Sequence, residues 1–99
     1  MANGIDPLDP SASMAALFGA RVRKLRLAAG LTQVELGEMV HVVGTRITQI
    51  ERASGARPTL ELARALDVAL GADDLLVELW PFVYREAFPD WSRKFMEYS

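Results

Sequence analysis

Leu36, Val40, Ile47 and Ile50 recur at spacings that put each pair on one face of a short helix, with His41, Val42 and Val43 between them. The segment 31–51 therefore reads as two helices joined by a tight turn, their apolar faces turned inward. Thr45, Arg46, Thr48 and Gln49 are left on the outward face of the second helix. Small polar side chains and an arginine at the front of a helix suit the major groove of a DNA duplex. The pattern predicts a DNA-binding helix-turn-helix.

The charge distribution agrees with that reading better than its total. The formal net charge is −2, mildly against a nucleic-acid partner. Over residues 21–57, however, Arg21, Arg23, Lys24, Arg26, Arg46, Arg52 and Arg57 face only Glu35, Glu38 and Glu51. Residues 58–84 reverse the balance, with Arg64 against Glu61, Asp67, Asp73, Asp74 and Glu78. The positive charge lies where the duplex is expected. Nine arginines against two lysines, with abundant Ala and Val, hint at a GC-rich genome.

Ninety-nine residues at 51% hydrophobic content suffice for one small core. The absence of cysteine excludes disulfides and thiolate metal sites and fits a reducing cytoplasm. No apolar run approaches the roughly 18 residues of a membrane span, and residues 1–7 lack the regions of a signal peptide. The expectation is a soluble, cytoplasmic protein with no membrane partner.

Residues 1–13, with Gly4, Pro7 and Pro10, read as a flexible leader, and residues 14–80 as the helix-turn-helix domain. Helix one is expected over about 14–29, with Phe18, Val22, Leu25 and Ala29 on one face and Gly30 as its stop. Thr32 and Glu35 form a capping box for helix two, and Gly37 leaves room where two helices meet. Helix three covers about 44–52. Thr59 caps helix four, about Leu60–Leu70, which Gly71 ends; Asp73 is placed to cap helix five, which runs to Trp80 before Pro81 interrupts. Residues 81–99 hold Phe82, Tyr84, Phe88, Trp91, Phe95 and Tyr98, an aromatic tail with a helix expected after Pro89. No strand pattern or internal repeat competes. The expected fold is all-α: five helices with a short aromatic helical tail.

Three elements together resemble the lambda-repressor-like, xenobiotic-response-element (XRE) class of bacterial regulators: Gly30-Leu31-Thr32-Gln33-x-x-Leu36, Ile47-Thr48-x-Ile50-Glu51, and Arg57-Pro58-x-x-x-x-Ala63-x-x-Leu66. The likeness spans residues 18–80. Pro89-x-Trp91-x-x-x-Phe95-x-x-x-Tyr98 is similar to the start of a second domain in an actinobacterial subfamily of two-domain regulators. That likeness implies an N-terminal domain separated from a C-terminal effector domain. The chain departs from the family's pattern at Gly37 (usually Ala), His41 (usually Gly) and Val43 (usually a Ser or Thr cap). A non-glycine residue at positive φ in that turn costs about 1 kcal/mol, so helix three is expected to be frayed or entered differently.

The resemblance puts Gly44, Thr45, Arg46, Thr48 and Gln49 in the groove. Gln49 is the leading base reader, because an amide matches adenine N6 and N7. Arg46 suits guanine or a phosphate, and Thr45 a thymine methyl or a phosphate. Gln33, at the start of helix two, suits a phosphate through its backbone N–H and amide. Arg52 and Arg57 flank the helix as electrostatic grip; Arg21, Arg23 and Lys24 are weaker candidates, more simply a wetted face. The resemblance also implies an ion pair between Arg26 and Glu51, a structural role for a glutamate that otherwise invites a catalytic reading. A polar residue on an exposed helix is ordinarily just solvated, and it is the motif that lifts these positions above that reading.

The lone His41 completes no metal site and reads as a turn residue, while Trp80, Trp91 and Phe95 read as core or dimer contacts. No catalytic set is present and no cofactor is implied, so an enzyme is not expected. The expected partner is double-stranded DNA, bound by a homodimer. The competing reading is an interaction module, such as an antitoxin, that holds a small partner protein through residues 72–99.

Overall fold

The computed structural model describes residues 13–87. Within them the chain forms α1 (Met14–Ala28), α2 (Gln33–Met39), α3 (Gly44–Glu51), α4 (Leu60–Leu70) and α5 (Leu75–Ala87), with no strand among the described residues. The expected all-α architecture of five helices is the one observed. The expected leader and the segment from Phe88 on, including the helix after Pro89, Trp91 and Phe95, lie outside the described residues.

Local chemistry fixes most helix ends. The Ser13 hydroxyl accepts from Ala16 N–H at 2.9 Å and starts α1. Gly30, at φ +73°, lets Leu31 N–H and Gly30 N–H turn back to the carbonyls of Arg26 and Leu27, the double bond of a Schellman ending. In the capping box of α2, Thr32 Oγ1 accepts from Glu35 N–H at 3.0 Å, and Glu35 Oε1 accepts from Thr32 N–H at 2.8 Å. Thr59 Oγ1 accepts from Leu62 N–H to begin α4, and Gly71 ends it in the left-handed conformation.

Tertiary contacts cap the start of α5 and add to the Ser13 cap at the start of α1. The cap of α5 is Asp67 of α4, not Asp73: its two carboxylate oxygens accept from Leu76 N–H and Val77 N–H, each at 2.9 Å. Asp73 sits at φ +56°, in the turn preceding the helix. Glu86, near the end of α5, accepts from Met14 N–H at 2.8 Å and Ala15 N–H at 3.2 Å, so the chain's last described helix caps its first.

Phe18 and Val22 of α1, Leu36 of α2, Ile47 and Ile50 of α3, Ala63 and Leu66 of α4, and Leu76 and Val83 of α5 fill one core. Each large side chain among them contributes about 1.5–3 kcal/mol on burial. The buried stripe of α1 runs through Phe18, Val22 and Arg26, whereas Leu25 is half-buried and Ala29 exposed. The expected apolar face therefore rotates toward Arg26, because that guanidinium has a buried partner. Helix α5 continues through Pro81 to Ala87 rather than stopping at Trp80. A proline inside a helix costs about 3 kcal/mol. Here fully buried Val83, the Trp80–Tyr84 ring stack at 5.3 Å and the Glu86 cap hold the continuation in place.

Candidate nucleic-acid interface

Gly37 of α2 lets that helix close on the turn that leads into α3, and Gly19 of α1 lets α1 close on the end of α3. A Cβ on Gly37 would lie 2.5 Å from the Val42 carbonyl oxygen, and one on Gly19 would lie 2.3 Å from that of Ile50. The turn between the helices places His41 at φ +64°, the left-handed conformation that its position predicts. Val43 precedes α3 with no side-chain cap bond. The helix nonetheless begins at Gly44, with Arg46 N–H bonded to the Val43 carbonyl.

A buried polar network fixes α3 against α1 and α2. Arg26 Nε donates to Glu51 Oε2 at 2.6 Å and Arg26 Nη2 to Glu51 Oε1 at 3.1 Å, a two-pronged pair of residues only 8% and 5% exposed. Arg26 Nη1 also donates to the Leu31 carbonyl. Its hydrogen bond to Glu51 raises the affinity of the guanidinium for its proton, outweighing the opposing effect of burial. Gln33 Nε2 donates to Glu51 Oε1 at 3.1 Å, and Thr48 Oγ1 donates to Gln33 Oε1 at 2.7 Å. Four residues from three helices thus form one connected set.

This network sorts the residues singled out from sequence. Gln33 and Thr48 are half-buried, with their side chains engaged in the protein. Arg46, also half-buried, folds back: its Nη1 donates to the Ala56 carbonyl at 2.9 Å and its Nη2 to that of Arg57 at 3.3 Å, so it holds the loop after α3. Gln49 is half-buried and runs alongside Gly55, where a Cβ would lie 2.9 Å from Gln49 Oε1. Thr45, Arg52 and Arg57 are exposed, and Gly44 is partly so. Trp80 Nε1 also ties this loop down, donating to the Pro58 carbonyl at 2.7 Å.

One grouping was understated by the sequence. Arg23, Arg26, Gln33, Glu51 and Arg52 line a single notch of about 310 Å³ between α1, the start of α2 and the end of α3. Arg23 and Arg52 are exposed. The signal was present in the spacing, since Arg23 lies three residues before Arg26 and shares its helix face. No cluster of His, Asp and Glu with metal-holding geometry occurs among the described residues. None of the described helices is long and apolar enough to cross a membrane.

A family model described as a helix-turn-helix domain matches residues 17–80. The chain belongs to the helix-turn-helix family. Such a domain is a DNA-binding unit. No curated protein and no solved structure matched the chain.

Proposed function

We propose that the protein is a sequence-specific transcriptional regulator of the XRE type that binds double-stranded DNA as a homodimer. Helix α3 lies in the major groove, with Thr45 and Gln49 against base edges and Gly44 packed closely against Val34 of α2. Arg52, Arg57 and Arg23 grip phosphates on either side, while Gln33, Thr48 and Arg46 hold the reading helix and its loop in register. The observation that carries this reading is the exposed front edge of α3 at Thr45, flanked by exposed Arg52 and Arg57. Two protomers would present two such edges to half-sites about 34 Å apart.

Titration of a duplex at increasing salt tests it. Three phosphate contacts per protomer give a slope of log affinity against log salt near −2.7 for each protomer. The alternative, an interaction module working through residues 72–99, draws support from exposed Asp74, Glu78 and Phe82 within that segment. That reading predicts no duplex binding even at low salt.

A further inference from the structure

The front of α3 carries an apolar feature that phosphate grip and hydrogen-bond readout leave unused. Val43 occupies the N-cap position, 71% exposed, and makes no side-chain capping bond. Ser, Thr, Asp or Asn there would satisfy a free N–H and stabilise the helix. Beside it, Val34 at the start of α2 is 58% exposed, and its methyl group lies over Gly44: a Cβ on that glycine would come within 2.9 Å of Val34 Cγ2. Exposed Thr45 follows directly, with a methyl group of its own. Two valines and a threonine thus surround a residue with no side chain. All three are branched at Cβ and restricted about χ1, which limits the positions their methyl groups can take.

N-terminal residues of a recognition helix are the ones that meet base edges. Of the groups that the four base pairs display in the major groove, the apolar one is the C5-methyl of thymine. The exposed Arg23 and Arg52, by the end of α3, and Arg57, in the loop after it, supply positive charge that complements a phosphate backbone. We propose that Val43, backed by Val34, is a specificity determinant that selects a thymine C5-methyl in each operator half-site. This inference rests on the reading of α3 as the duplex-contacting helix and adds to it the class of base that the front of the helix requires.

Replacing single thymines by uracil in a duplex enriched by selection tests the inference, since uracil keeps the pairing and O4 and loses only the methyl. Binding of the full chain is followed by fluorescence anisotropy. One or two uracil positions per half-site should weaken binding about fourfold, the value of one buried methyl. In Val43→Ser, thymine and uracil duplexes should bind within twofold of each other at those positions. The variant gains a capping hydroxyl, so its melting temperature should not fall, and Val34→Thr should halve the methyl preference without abolishing binding. The proposal is overturned if no uracil substitution changes the affinity more than twofold, or if the preference survives intact in Val43→Ser. Sequence-specific binding that is blind to the methyl overturns the inference alone; no enriched duplex at all overturns it together with the regulator reading.

Discussion

Replacing Glu51 by alanine leaves the Arg26 guanidinium in a site only 8% exposed, with the Leu31 carbonyl as its remaining bonded partner. Both short contacts, at 2.6 and 3.1 Å, disappear, and Gln33 Nε2 loses its acceptor as well. Breaking a buried ion pair by removing one partner costs about 3–5 kcal/mol, because the other charge stays buried. A domain of this size has ~4–11 kcal/mol of total stability. The substitution therefore consumes much of it, and at about 4–8 °C per kcal/mol the melting temperature should fall by at least ~12 °C. Circular dichroism at 222 nm during heating, with urea unfolding alongside, measures the loss. Because the folded state raises the proton affinity of Arg26, its contribution is complete below the ordinary arginine range and is lost only above it. The difference between the wild-type chain and Glu51→Ala should therefore stay constant between about pH 7 and pH 10. Replacing both partners, Arg26→Met with Glu51→Leu, should recover a large part of the loss. A melting temperature of Glu51→Ala within about 2 °C of wild type would refute the account of how α3 is held.

Gly19→Ala places a Cβ 2.3 Å from the Ile50 carbonyl oxygen, a backbone atom with little room to retreat, so urea unfolding should show a loss of about 1–3 kcal/mol; unchanged stability would mean α1 and α3 are not in close contact. Asp67→Ala removes the acceptor of two N–H groups at the start of α5 and should cost about 1–2 kcal/mol, with faster amide exchange at Leu76 and Val77. If those amides exchange at the wild-type rate, Asp67 is not the cap. Gln49→Ala should reduce discrimination between selected and random duplexes by roughly 1–3 kcal/mol. Equal weakening on both would assign Gln49 to the support of the loop at Gly55 instead.

How far the sequence could be read depended on how far each interaction reaches along the chain. Thr32 with Glu35, Thr59, Gly30 and Gly71 act within a turn of their own position, and each appears in the structure as the local chemistry requires. Asp67 and Glu86 act nine and 72 residues away on backbone that the chain brings back to them, and no local pattern announces that. The same holds for Pro81, whose place inside α5 depends on what surrounds Val83 and Trp80. At the interface, periodicity could separate Ile47 and Ile50 from the outward residues. It could not tell Thr45, open to solvent, from Arg46 and Thr48, which reach across to a loop and to α2. Val43 was visible in the sequence as a missing cap, and its degree of exposure needed coordinates.

Selection of bound sequences from a randomised duplex pool by the full chain addresses the central claim most directly. The account predicts a recurring motif, arranged as two related half-sites centred about one helical turn, ~34 Å, apart. Enrichment should vanish when Thr45 and Gln49 are both replaced by alanine. A pool that emerges with no preferred sequence, or a motif unaffected by those replacements, would contradict the assignment of α3 as the helix that reads DNA.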